Sequence, residues 1–311
     1  MIFRTLRLIL FCLVVSRLSA QDSSVLHEGR MIQLKDIVVR KGIDVPSFLQ
    51  RLKDDTGFYK SFKYLRTLQF SAINDIRMLD KKGQLKASLN STTSQMISSG
   101  CRTMDVIKEE TTGDFYDGDK NYNYYTAALY ASLFFTKGKV CGETDEVGHA
   151  AFNIRQKKGV DRHKEQLKML FFNPGVHVPG IPFMGDKIAL FDADVTARYE
   201  MSIDYDVYQG EPCFVLHIVK KEGLPLSERR KVVIDEMKTW FAQSDLSVLG
   251  RTYQMAYGNM LYDFDVLMEV KMTRFGNRVV PALLRYNGEW DVPFKKKERG
   301  VFTATLFGFR N

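Results

Sequence analysis

The sequence predicts an α+β protein: a long, curled, half-open antiparallel β-sheet of about nine or ten strands, run as a meander and packed over two or three helices. Three observations point there. In residues 196–207 every odd position from Ala197 to Val207 is apolar and every even one polar or charged. Tyr262, Phe264, Val266, Met268, Val270 and Met272 alternate in the same way, with Leu267 as the one exception. Successive side chains of a strand point to opposite faces, so both stretches are ribbons with one oily and one wet side. Such strands belong to an antiparallel sheet covered on one face only. Finally, strand signals and turn signals succeed one another after Asp192 without the βαβ alternation of a parallel sheet.

Taken in order, the first twenty residues are expected to lie outside the fold. Arg4 and Arg7 precede the apolar run Leu8–Ser16, and Leu18-Ser19-Ala20 offers a cleavage site before Gln21. This is the pattern of a secretory signal peptide, and the run is too short for a membrane span. Residues 21–43 are expected to be poorly ordered, and 44–311 to form a single domain with a helical insert near 120–172. Asp44 and Pro46 open a helix whose apolar positions are Val45, Phe48, Leu49, Leu52, Tyr59 and Phe62, with Gly57 weakening or ending it. A strand follows over 64–79, with Leu68, Phe70, Ala72, Ile76 and Met78 on one face. Lys81-Lys82-Gly83 turns the chain into Leu85, Ala87 and Leu89, and another strand begins near Cys101.

Asp114–Asn123 is polar and turn-rich. Residues 122–135 then carry no charge, which demands burial on most sides of a helix. A further helix is expected over 161–172, and Asn173–Asp186 is a Pro/Gly-dense but apolar loop. Beyond it come a hairpin turning at Gln209-Gly210 and strands near 231–240, 249–257, 262–275, 279–290 and 301–309. Strands of twelve to sixteen residues reach about 40 to 50 Å at roughly 3.3 Å per residue. A sheet that long twists and curls, and its oily face becomes concave.

The candidate site is that concave face. Its expected lining is Tyr199, Met201, Ile203, Tyr205, Met255, Phe264, Val266 and Met268, with Phe183 and Met184 as part of a gate. Methionine adapts to irregular neighbours, so a wall of this composition suits an acyl chain; the alternative is that helices simply fill it.

Composition excludes several functions. Without Arg4, Arg7 and Arg17 the formal charge falls from +8 to +5. The lysines are scattered apart from Lys295-Lys296-Lys297, so no basic stripe for nucleic acid is present. Cys101, Cys141 and Cys213 remain after cleavage. An odd count leaves at least one unpaired; an oxidising compartment allows one disulfide whose pairing spacing does not give, and otherwise all three are small buried hydrophobes. His27, His149, His163, His177 and His217 show no metal-ligand spacing. Asp114, Asp117 and Asp119 lack the calcium-loop order and read as a solvated turn. The pairs Asp204/Asp206 and Asp263/Asp265 are the polar halves of alternating strands. No G-x-S-x-G, P-loop or G-x-G-x-x-G occurs. Asn90-Ser91-Thr92 matches a glycosylation acceptor, without meaning in a bacterial setting.

Signal peptide, amphipathic helix, long strands and late meander together resemble the LolA/LolB/LppX-like superfamily of exported lipid- or lipoprotein-handling proteins, including relatives from Gram-negative bacteria. The segment Lys231-Val-Val-Ile-Asp235-Glu-Met-Lys-Thr-Trp240 looks like the family pattern in which a strand ends at an Ile-Asp pair, and Val279-Val280-Pro281 looks like its habit of a proline before a strand. The resemblance implies a half-open barrel over helices. It also implies periplasmic, non-enzymatic binding of a lipid or lipoprotein acyl chain, without cofactor or metal. The implied partners are a lipid or lipidated protein and a membrane surface, not nucleic acid. Two rival expectations are an outer-membrane β-barrel, suited by the aromatic last strand, and an envelope enzyme with an unrecognised site.

Overall fold

The computed structural model describes residues 24–27, 30–33, 37–39, 45–53, 57–146, 187–258, 263–291 and 296–311. A short hairpin pairs β1 (Ser24–His27) with β2 (Arg30–Gln33). All other strands share one sheet. These are β3 (Ile37–Val39), β4 (Gln69–Leu79), β5 (Leu85–Ser98), β6 (Cys101–Thr112), β7 (Val140–Cys141), β8 (Tyr199–Tyr208), β9 (Glu211–Lys220), β10 (Ile234–Ala242), β11 (Val248–Gly258), β12 (Asp263–Phe275), β13 (Arg278–Asp291) and β14 (Glu298–Arg310). Their order is β3-β8-β9-β10-β11-β12-β13-β14-β4-β5-β6-β7. Only the three-residue β3 is parallel to its neighbour, so eleven strands form one antiparallel sheet, slightly more than the sequence predicts. The C-terminal strand is central: β14 pairs with β13 on one side and with β4 on the other. Each half is a meander of hairpins, and Gly210, at φ 84°, takes the left-handed turn position that glycine fills without steric cost.

The sheet has two ends, β3 and β7, that do not pair with each other among the described residues. It is not a closed barrel. Its outer face is also charged, with the ion pairs Arg285–Glu269 (3.0 Å) and Lys271–Glu269 (3.3 Å) and a His217–Glu236 hydrogen bond at 2.7 Å. A lipid-facing strand surface does not tolerate such groups at mid-bilayer, so the outer-membrane barrel expectation is corrected. Among the described residues no helix is long and apolar enough to cross a membrane.

Helices lie on the opposite, inner face. The expected helix after Asp44 is two: α1 (Val45–Lys53) and α2 (Gly57–Tyr64). Gly57 starts the second, rather than weakening one continuous helix. The Phe48 ring of α1 meets Phe214 at 5.7 Å and Phe241 at 5.5 Å, over β9 and β10. α2 packs against β13, burying Phe58 and Phe62. The charge-free stretch forms α3 (Tyr125–Phe134), deeply buried as expected. Two one-turn helices, α4 (Ala193–Thr196) and α5 (Leu226–Arg229), lie in connections. The signal segment, the expected 161–172 helix and the 173–186 loop lie outside the described residues.

α3 has no side-chain cap of its own. Glu298 of β14 supplies it: one carboxylate oxygen accepts from the Tyr125 N–H (2.8 Å), the other from the Thr126 N–H (2.8 Å) and hydroxyl (2.6 Å). A carboxylate at a helix N-terminus satisfies otherwise orphaned donors and favours the dipole. Below the helix, the Tyr130 hydroxyl donates to the Asn74 side-chain oxygen (2.9 Å), while the Asn74 amide donates to Ser91 (3.2 Å). Gly288 and Gly300 face each other across β13 and β14. A Cβ on either would meet a ring, Tyr286 Cζ at 2.5 Å or Phe302 Cζ at 2.7 Å. The two rings stack 4.9 Å apart over the bare backbone, and Tyr130 packs edge-on against Phe302 at 5.4 Å.

Cys101 and Cys141 are disulfide-bonded, tying β7 to β6, and Cys213 is free and buried. This corrects the reading of all three as buried hydrophobes. Cys213 sits with Val215, Ala242 and Leu249 in a small cluster away from the main core. Pairing of Ile234–Asp235 is likewise corrected: the pair opens β10 rather than ending a strand, at an irregularity in register between Ile234 and Glu236. Pro281 lies within β13, at the bulge where a missing N–H is tolerated.

Replacing Glu298 with Ala is expected to lower stability by about 1–2 kcal/mol, as charge-assisted caps do. Thermal unfolding checks this, and an unchanged midpoint contradicts the capping role. A second expectation concerns pH. Burial works against the Glu143 carboxylate, but the Arg102 guanidinium that donates to it, with Arg66 and Lys63 nearby, outweighs burial and holds its pKa below the ordinary glutamate value. The stabilisation is therefore present above the unfolded-state pKa and lost as pH falls through the depressed folded one. Midpoints measured from pH 7 to 3 should drop on the acid side, and Glu143→Gln should start lower at pH 7 and fall less. A variant curve parallel to wild type would exclude this pairing as a source of acid sensitivity.

Candidate functional site: the inner apolar face

The inner face carries a row of side chains joined strand to strand by direct register. Met201 of β8 lies opposite Ile218 of β9, then Met237, Tyr253, Met268, Tyr286, Phe302, Ile76 and finally Leu89 of β5. Every member is buried within one core cluster. At about 4.8 Å per strand the row runs close to 40 Å across nine strands. It stops at β6, where Leu89 faces the exposed Thr111.

Of the expected lining, Tyr199, Met201, Ile203, Met255, Phe264, Val266 and Met268 lie in this cluster, none more than 3% exposed. Tyr205 does not join them. The alternation of β8 breaks down after Ile203, and Tyr205 stands at the rim, 44% exposed, against Phe214 at 5.3 Å. Phe183 and Met184 lie outside the described residues. Leu267, the irregular residue in β12, points outward and is 53% exposed.

Sequence reading missed the polar members of the same face. Arg251, 8% exposed, donates to Thr239 at 3.0 Å, and its guanidinium lies 4.2 Å from the centre of the Phe58 ring of α2. Its odd number in β11, in step with Tyr253 and Met255, was the available signal. Gln95 donates to the carbonyls of Leu65 (2.7 Å) and Leu68 (2.8 Å), so β4 and β5 offer a partly polar inner surface beside the apolar one.

Burial pushes the Tyr199 hydroxyl up to about 12, the backbone of Ile234 and Val233 partly holding it back. The Tyr199 hydroxyl forms no hydrogen bond of good geometry with either, and among the described residues it is the buried side-chain polar atom left without a partner. Tyr253, wholly buried, is raised further, chiefly by desolvation, and its hydroxyl lies 2.9 Å from Met268 Sδ.

An open cleft of roughly 420 Å³ adjoins this end of the wall. β11 runs on to Gly258 while β10 begins only opposite Met255, leaving a gap between the ends of β9 and β11. Val232, Tyr257 and Phe264 form its apolar floor; Lys220, Arg229, Arg230, Asp235, Asp263 and Asp265 form its lips. Phe264 stacks on Trp290 at 4.8 Å, so one ring belongs to both cleft and wall. The Lys187 ammonium joins two of these residues, donating to the Tyr257 hydroxyl at 2.7 Å and to the Arg230 carbonyl at 3.2 Å. Asp263 and Asp265 are exposed, as expected of polar strand positions, but at the lip of this cleft. His217 is a sheet residue of β9, as expected. No cluster of three metal-ligating side chains occurs among the described residues.

No protein-family model matches the sequence, and no curated relative matches it. Solved structures similar to it in fold include a DUF1329 family protein from Desulfovibrio piger, at 8% identity and TM-score 0.25, covering 82% of this chain and 91% of that one. A domain from Vibrio parahaemolyticus described as an outer membrane lipoprotein-sorting protein gives 10% identity and TM-score 0.24 over 78% and 84%. A LolA superfamily protein from Nitrosomonas europaea gives 8% and 0.22 over 82% and 91%. At such TM-scores the likeness carries no argument about this chain, and the reading below rests on its own inner face.

Met255→Ala should cost about 2–5 kcal/mol, as large-to-small changes in a packed core do, while Tyr205→Ala at the rim should cost under about 1 kcal/mol. Urea unfolding of the two variants separates them; equal effects would mean that the wall is not packed as described.

Proposed function

We propose that this protein is a non-enzymatic carrier that holds a lipid or lipoprotein acyl chain against the inner face, acting in the periplasm after export. One observation carries the reading: a continuous apolar row nine strands wide, covered across β9 to β13, among the described residues, by two short helices rather than by a second sheet. Such helices, of nine and eight residues, are marginal alone and depend on tertiary packing. Their displacement would expose the wall without disturbing the strand ladder. Three of the nine side chains in the row (Met201, Met237, Met268) are methionines and Met255 lies beside it; methionines repack around ligands of varied shape. The Cys101–Cys141 disulfide suits an oxidising compartment, which agrees with the expected signal segment. Tyr199, Met201, Ile203, Met255, Phe264, Val266 and Met268 are the proposed lining, Tyr205 a rim contact, and Phe183 and Met184 the proposed gate.

The test is saturable binding of a fluorescent fatty acid by the mature chain, read by displacement with phospholipid. Val266→Trp, which fills the wall, is expected to weaken binding at least about tenfold. Met268→Ala, which enlarges it, should bind as well as wild type or better. Absence of saturable binding by wild type, or equal affinity in all three, would overturn the proposal.

A further inference from the structure

The cleft at the end of the wall has opposite charges on its two lips. Arg229 and Arg230, at the end of α5, are exposed, and among the described residues neither side chain forms an ion pair or hydrogen bond. Across the apolar floor stand Asp263 and Asp265, also exposed and without an ion-pair partner among the described residues. Asp263 lies opposite Asp291 in the ladder and Asp265 opposite Glu289. The nearby cation Lys297 is paired with Glu289, so this lip remains acidic. At the base, Lys220 and Asp235 neutralise each other at 2.6 Å. Leu226, on the same turn as the arginines, is 62% exposed.

We infer that this cleft takes the zwitterionic headgroup of an aminophospholipid, and the inference rests on the acyl-binding role proposed above. The phosphate lies against Arg229 and Arg230, whose guanidinium forks suit phosphate oxygens, and the ammonium lies against Asp263 and Asp265. An anionic headgroup would meet the acidic lip unfavourably, and a simple fatty acid would leave that lip unused. Behind the floor, the Tyr199 hydroxyl sits beside Val233 and Ile234, next to the cleft-lining Val232. It supplies the donor that a glycerol ester carbonyl accepts, which removes the cost of leaving a buried hydroxyl unmatched. The acyl chains then pass Phe264, the ring shared with the wall.

Competition native mass spectrometry on the full mature chain tests this with equimolar short-chain phosphatidylethanolamine, phosphatidylglycerol and a free fatty acid. Wild type is expected to prefer phosphatidylethanolamine over phosphatidylglycerol by about tenfold. The double variant Arg229→Glu/Arg230→Glu should weaken both phospholipids, which share the phosphate, by about tenfold or more, and Asp263→Asn/Asp265→Asn should shift the preference toward phosphatidylglycerol. Fatty acid binding should stay unchanged in Asp263→Asn/Asp265→Asn. Tyr199→Phe should weaken both phospholipids without lowering thermal stability. Equal binding of the two phospholipids by wild type, a ratio untouched by Asp263→Asn/Asp265→Asn, or phospholipid binding untouched by Arg229→Glu/Arg230→Glu overturns the headgroup assignment while fatty acid binding still holds. Loss of fatty acid binding in wild type instead overturns the acyl-carrier reading beneath it.

Discussion

A sheet with one apolar face must be covered, and that requirement organises this molecule. The face spans nine strands in register from Met201 to Leu89. Burying each such side chain is worth about 1.5–3 kcal/mol, so leaving the row open to water would cost more than a domain's whole margin of stability. α1, α2 and α3 lie on it, and their own placement follows from it. α3 has almost no polar face, and is fixed by a carboxylate reaching up from the sheet rather than by its own N-terminal residue.

The covering is uneven in kind. Over β14, β4 and β5 the contact is polar as well as apolar, through Tyr130, Asn74, Ser91 and Gln95. Hydrogen-bonded groups in a low-dielectric interior specify one arrangement and resist sliding. Over β9 to β13 the contact is mainly aromatic and aliphatic, with the Arg251 guanidinium against Phe58 as the charged exception. Non-directional packing of that sort tolerates replacement by another apolar body, and a lipid tail is one. The same division puts the hydrogen-bonded half of the molecule around α3 and the disulfide, and, under the proposed carrier role, the exchangeable half around α1 and α2.

Much of this was legible in the sequence, for a physical reason. Alternation in β8 and β12 reports which side chains share a face, and residues chosen on that basis, from Tyr199 to Met268, do share one buried face. The pairing of β14 with β4 was not legible, because nothing local joins strands more than two hundred residues apart. Gly57 read as weakening one helix or ending it early, and only the packing of Phe58 and Phe62 shows that it opens a second. Tyr205 kept the odd-position rule yet stands at the rim, since periodicity says which way a side chain points and not whether anything lies over it. Arg251 went unseen because a charged residue at an inward position looks like noise until its ring partner is in place. The cleft depends on β10 starting later than β11 ends, a register property that composition does not carry.

The most direct measurement of the central claim is the mass of the mature protein under native conditions, taken from cells of a lipid-containing host without detergent. A population heavier by one lipid, removed by organic extraction and restored by adding phospholipid, is what a displaceable cover over the inner face predicts. A single unliganded mass, unchanged by added lipid, would show that the protein's own helices occupy that face for good.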